Sequence, residues 1–156
     1  MTGEVLRALV RRLPAGVAVV TVDTGTHALG LTVTTFVTLS LEPPLVGVAV
    51  ARAAALHELL REAGAFGISL LAAGQETLAA HFARGVPPIA LWTGVEVRRG
   101  ETGAPLLADA LGWLECRLEA EHAVGTHTLF VGGVVNVEQG TGTAALLRVE
   151  GGYRAA

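Results

Sequence analysis

Short runs of β-branched and apolar residues recur along this chain, each closed by a glycine, a proline or an Asp/Thr turn, with no regular strand–helix–strand alternation. Residues 17–22 form the first run. Asp23-Thr24-Gly25-Thr26 then reads as a turn into the Thr- and Val-rich stretch 27–40, which predicts a hairpin. Pro43-Pro44 interrupts any ladder because neither residue has an N–H, and 45–50 is a further buried-looking strand. Strands are also predicted over 66–71, 113–121, 128–137 and 146–149, with 123–126 as a connection. Helical spacing covers 2–13 (Thr2 as cap, Pro14-Ala15-Gly16 as stop), 54–63 (stopped by Gly64) and 75–83. Residues 85–105 are rich in proline and glycine and are the least regular part. About six or seven strands and three short helices in this order favour a closed or nearly closed antiparallel barrel with helices packed outside. No repeat, linker or low-complexity tract divides the chain, so residues 1–156 read as one domain.

Composition narrows the chemistry. Half of the residues (51%) are apolar and 16% are charged, enough to bury a sizeable core. A net charge of -3 offers no basic surplus for a phosphate backbone, which argues against nucleic-acid binding. The 11 cations are all arginine, so a P-loop, a pyridoxal Schiff base and a lysine nucleophile are excluded together. Cys116 is the single cysteine: it allows no internal disulfide or Cys-based zinc cluster, and reads as a small buried hydrophobe. Neither Ser40 nor Ser69 stands in a nucleophile elbow. Glu4, Arg7, Arg11 and Arg12 do not fit a signal peptide, and the longest apolar stretches fall far short of the ~20 residues of a bilayer span. The expectation is a soluble cytoplasmic protein whose chemistry, if it is an enzyme, is carried by a bound cofactor.

Several short motifs carry little. Gly140-Thr141-Gly142-Thr143-Ala144-Ala145 fits the dinucleotide fingerprint but opens no βαβ unit, and reads as a hairpin turn. His57-Glu58 begins a zinc-helix motif that Arg61 breaks. His122 and His127 beside Glu119 and Glu121 read as solvated strand, and His57 and His81 as surface histidines on helices, so no metal is expected. The segment 30–46 is different, because it gathers Thr32, Thr34, Thr35, Thr38 and Ser40 at a strand end before the Pro43-Pro44 break. It reads equally as β-branched strand filler or as a polar ligand site. In the second case its hydroxyls and free N–H groups suit a phosphate, or the carbonyl and ring-nitrogen edge of a flat heterocycle.

Landmarks in a particular order complete the picture: Leu13-Pro14-Ala15-Gly16-Val17, the segment 30–46, Phe66-Gly67-Ile68-Ser69-Leu70-Leu71, His81-Phe82-Ala83, Leu114-Glu115-Cys116, Gly125-Thr126-His127 through Gly132, and Tyr153. In these the chain resembles the short-chain flavin reductases, the reductase components of two-component flavin monooxygenases. The resemblance covers almost the whole chain. It implies a mainly β fold, the Greek-key split β-barrel that binds FMN, with a few short helices outside. It also implies NAD(P)H:flavin oxidoreductase activity, with hydride passing from nicotinamide C4 of NADH or NADPH to N5 of FMN or FAD. The reduced flavin would serve a partner monooxygenase. A homodimer with flavin sites near the interface is implied too, and surplus apolar surface on Trp92, Trp113 and many Val and Leu residues is consistent with one.

Site roles follow from the resemblance by position. Thr32, Val33, Thr34 and Thr35 would lie along the isoalloxazine ring, and Thr38 and Ser40 would help hold the ribityl phosphate. Ala49, Val50 and Ala51 would flank the flavin, Phe82 and Arg84 would form a turn closing over its tail, and His127 would stand at the nicotinamide side as a positioning group. Three departures matter. Ala53-Ala54-Ala55 replaces the phosphate-binding Ser or Thr, so anchoring passes to Arg52, Arg84 or the next helix N-terminus. Thr126 stands where the family has Asp, which removes an acidic partner from His127. The loop 85–94 is short. Two alternatives are a non-catalytic split-barrel flavin carrier and a partner-binding barrel without cofactor.

Overall fold

A computed structural model describes residues 1–156. The chain runs α1 (Gly3–Val10), β1 (Ala15–Gly16), β2 (Ala18–Asp23), β3 (Ala28–Val33), β4 (Val37–Leu41), β5 (Pro44–Ala51), α2 (Ala55–Ala63), β6 (Ala65–Leu70) and α3 (Glu76–Ala83). It continues through α4 (Pro88–Leu91), β7 (Val97–Arg99), β8 (Pro105–Leu107), β9 (Gly112–Val124), β10 (His127–Gln139), β11 (Leu146–Val149) and β12 (Gly152–Ala155).

Seven strands form one antiparallel sheet in the order β3-β2-β6-β9-β10-β5-β4. Hairpins make only the β2–β3, β4–β5 and β9–β10 pairs; the other neighbours are reached by longer connections, which is the Greek-key element of the topology. β3 and β4 remain at opposite edges and do not pair with each other, so the barrel is split between them. A small sheet β1-β11-β12 is stitched on through Val17, whose N–H donates to Leu146 O (3.1 Å) and whose carbonyl accepts from Leu71 N (3.0 Å). The β7–β8 hairpin is tied down where Thr21 Oγ1 donates to Pro105 O (2.5 Å) and Leu107 N donates to Ser69 Oγ (3.0 Å).

The core is built from the alternate side chains of these strands together with α2. Val20, Val48, Ile68, Phe66 and Phe130 meet Leu56 and Leu60 there, all essentially without solvent exposure. Each such side chain contributes about 1.5–3 kcal/mol on burial. Gly132 makes the tight packing possible: a Cβ there would lie 2.6 Å from Phe66 Cζ and 2.8 Å from Cys116 Cβ. Cys116 is fully buried as expected, and burial together with the adjacent Glu115 charge pushes its thiol up to about 12, so no thiolate is available for chemistry. Glu115 itself is buried and holds the β7–β8 turn: its carboxylate accepts from Glu101 N, Thr102 N, Thr102 Oγ1 and Asn136 Nδ2.

Several boundaries differ from the sequence expectation. The stretch 27–40 is two strands, because Thr34–Phe36 leave the ladder, and Thr35 bonds to β5 instead. The connection expected over 123–126 shrinks to Gly125-Thr126, with Gly125 at φ +55° turning the long β9–β10 hairpin. Residues 140–145 are not a hairpin turn: they link β10 to β11 of the other sheet, and Ala145 bridges Ala72. The two- to four-residue strands β1, β7, β8 and β12 are too short to show a period of their own, which raises the total above the expected six or seven.

The expected apolar surplus is present, and it lies on Val and Leu side chains more than on the tryptophans. Trp92 and Trp113 are half-buried, their indole N–H groups donating to Ala28 O (2.9 Å) and Leu107 O (2.7 Å). Exposed apolar side chains include Val5, Leu6, Leu9 and Val10 of α1, which buries nothing in this chain, and Val37, Leu39 and Leu41 of β4; Leu13, Ile89, Val124, Val135 and Val137 are exposed elsewhere. No helix is long and apolar enough to cross a membrane.

Candidate functional site

The C-terminal end of β5 organises the region, because the β3–β4 link, the β9–β10 hairpin tip and the start of α2 all meet it. Thr35 Oγ1 donates to Ala49 O (2.8 Å) and accepts from Ala49 N (3.1 Å), fastening the threonine ledge to that strand. On the other side of β5, Leu129, Thr128 and His127 pair with Ala49, Val50 and Ala51. Ala49 and Ala51 are half-buried, whereas Val50 is in the core.

The four threonines of the ledge do different things. Thr32 Oγ1 donates to Ala79 O (2.7 Å), so this hydroxyl ties β3 to α3, and Val33 is buried opposite Ala18. Thr34 is exposed and faces a separate cleft of about 440 Å³ with Arg7, Arg11 and Arg148. Thr38 is exposed on β4 opposite Val46, and Ser40 is half-buried opposite Leu45, across a register shift that turns this edge strand. Only Thr34 and Thr38 therefore carry hydroxyls that are both exposed and free of protein partners.

Beyond β5 the three alanines 53–55 line a second cleft of about 400 Å³, with Gly30, Leu31, Phe82, Arg84 and the prolines 87 and 88 on its other walls. This size is in the range of small-molecule sites. Phe82 and Arg84 do not share a turn as expected. Phe82 is a buried residue of α3, its ring 5.3 Å from that of Trp92 and pressed on Gly30, where a Cβ would lie 2.8 Å from Phe82 Cδ1. Arg84 caps α3 and is exposed. α2 begins at the same cleft with Ala54 as N-cap, so its first-turn N–H groups have no side-chain acceptor. An uncapped helix N-terminus and a guanidinium around a mainly apolar cleft form an arrangement suited to an anionic group such as a phosphate.

His127 opens β10 and is half-buried. Its Nδ1 lies 2.9 Å from Thr126 Oγ1, so the threonine in the acid's place still orients the ring, as a neutral partner. Arg52 does not point into the α2 cleft: Nη1 donates to His127 O (2.8 Å) and Nη2 donates to Gly125 O.

His57 is the residue that sequence reasoning misplaced. It is buried, not on the surface; Nε2 lies 2.7 Å from Thr128 Oγ1, Nδ1 lies 2.9 Å from Glu58 Oε1, and the ring rests 5.1 Å from that of Phe130. Its position beside Leu56 and Leu60 on the inner face of α2 was the available signal. His81 is half-buried as well, with Nε2 2.6 Å from Leu91 O.

Comparison with known proteins agrees with this architecture. A family model described as a flavin reductase like domain matches residues 10–156. The chain is 40% identical over 151 residues to the reductase component of 4-hydroxyphenylacetate 3-monooxygenase from Thermus thermophilus, covering 97% of this chain and 95% of that one. It is 38% identical to the NADH-dependent FAD reductase of Streptomyces globisporus over 96% of this chain and 83% of that one. Its structure is similar, at a TM-score of 0.92 and 36% identity, to BorF, the flavin reductase component of a bacterial two-component tryptophan halogenase, covering 99% of this chain and 98% of that one.

Proposed function

The chain belongs to the flavin reductase like domain family, and from that premise we propose that it is an NAD(P)H-dependent flavin reductase supplying reduced FMN or FAD to a separate monooxygenase component. The observation that carries this reading is the junction at the end of β5, where the threonine ledge, His127 and the α2 cleft lie around one strand end. A bound flavin supplies the ring that accepts hydride from the nicotinamide; no protein side chain has to form a covalent bond.

The chain's own residues bind and orient. Arg84 and the first-turn N–H groups of α2 hold the phosphate, taking over from the hydroxyl that Ala53-Ala54-Ala55 lacks. Gly30 and Phe82 wall the α2 cleft; by position in the family, the backbone of residues 32–35 and the β5 end from Ala49 to Ala51 would border the ring, and Thr38 and Ser40 the ribityl chain. His127, held by Thr126, stands at the nicotinamide side as a positioning group. The catalytic task left to the chain is one of orientation.

The active unit is a homodimer in the cytoplasm. The bare apolar face of α1 and the exposed Val37, Leu39 and Leu41 of β4 support the dimer, since a second copy would remove both from water. The reading is tested by titrating FMN and FAD with protein: saturable quenching of flavin fluorescence supports it, and unperturbed fluorescence at micromolar protein overturns it.

A further inference from the structure

Arg52 is the first residue after β5, and three of its donors turn back onto one hairpin tip. Its backbone N–H donates to Thr126 O (3.0 Å), Nη1 donates to His127 O (2.8 Å) and Nη2 donates to Gly125 O. Three successive carbonyls thus accept from a single residue. A tip at the end of a long hairpin has few neighbours and would otherwise fray, since these carbonyls would be left to water. The planar guanidinium fork spans two carbonyls at once, which a single ammonium cannot do equally well.

We propose that Arg52 is a positioning residue that acts through His127, fixing the hairpin tip so that the imidazole occupies one place beside the β5 end, and that it does not anchor the flavin phosphate. This rests on the flavin reductase reading above. The neighbouring contacts complete the hold: Thr126 Oγ1 orients the His127 ring at Nδ1, and buried His57 grips the next residue through Thr128 Oγ1. Arg52 supplies the backbone part of that hold, while Arg84 is the arginine that lines the α2 cleft.

Double-mutant kinetics test this. Arg52→Ala, at saturating flavin, is expected to lower kcat/KM for NADH about tenfold, with the FMN dissociation constant within about twofold of the parent. Arg52→Lys, which keeps one donor, should fall between the two, and serves as the test variant if the alanine form does not fold. Arg61→Ala is the control: its ion pair with Glu121 (3.0 Å) ties the same hairpin to α2 away from the tip, and its loss should leave kcat/KM unchanged. In a His127→Ala background, Arg52→Ala should cost nothing further. Additive losses in that background would overturn the proposal. So would a tenfold weaker FMN dissociation constant with kcat/KM unchanged at saturating flavin, the signature of a phosphate ligand. A parent protein that binds flavin but does not oxidise NADH would instead overturn the reductase reading, before any variant is compared.

Discussion

At the tip of the β9–β10 hairpin, Thr126 Oγ1 lies 2.9 Å from His127 Nδ1. The hydroxyl fixes the plane of the imidazole without adding a charge beside it, in keeping with the orienting role proposed for His127. His127→Ala should lower NADH turnover about tenfold with flavin still bound, and Thr126→Val should give a smaller loss in the same direction. Steady-state kinetics alongside flavin binding checks both; complete inactivity of a flavin-loaded His127→Ala protein would contradict the orienting role.

Arg84 and the uncapped start of α2 face the same cleft. Arg84→Ala should weaken FMN binding about tenfold and leave riboflavin, which has no phosphate, nearly unaffected. Comparing the two dissociation constants by fluorescence isolates the phosphate contribution. Equal weakening of both ligands would place the phosphate elsewhere.

Glu115 links stability to pH. Burial alone would raise its pKa, but hydrogen bonds from the Thr102 N–H, Asn136, the Thr102 hydroxyl and the Glu101 N–H together outweigh it and hold the carboxyl below its usual value. A depressed folded value means that this stability is fully present above the unfolded carboxylate value of about 4.3, and is lost as pH falls through the lower folded value. Glu115→Gln should cost about 1–3 kcal/mol at neutral pH and flatten the acid limb of the stability profile. Urea melts of both proteins between neutral and acid pH provide the check.

α1 presents Val5, Leu6, Leu9 and Val10 to solvent and buries none of its residues. In the proposed homodimer this face is covered by the second copy, so the parent should run as a dimer and Leu9→Glu as a folded monomer. Light scattering after size exclusion, with far-UV circular dichroism alongside, reads both; an unchanged molar mass would remove α1 from the interface.

Much of this architecture could be read from residue order. The runs 17–22, 45–50 and 128–137 form strands because β-branched side chains recur in them between clear stops, 66–71 does so through its apolar Phe66, Ile68 and Leu70, and Gly64 ends α2 in the left-handed conformation, at φ +67°. What escaped detection depends on tertiary contact. β1 and β12 exist only because β11 lies between them, and the split at Thr34–Phe36 follows from the bond of Thr35 to Ala49. Phe82 resembles a lid residue in sequence, yet Gly30 opens the space that draws its ring into the core. His57 carries a polar label that its place on the inner face of α2 overrides, because Thr128 and Glu58 satisfy both ring nitrogens. Arg52 was legible as a cation near the site, but its engagement with the hairpin carbonyls required the fold.

On the proposed function the β5 end presents a flavin to a pyridine nucleotide, and flavin-dependent oxidation of NADH in air is the decisive assay. Negligible NADH consumption is expected of the stripped protein, with a rate that rises to saturation as FMN or FAD is added. Flavin that binds tightly while NADH remains unconsumed, with NADPH equally inert, would contradict it and leave a flavin carrier.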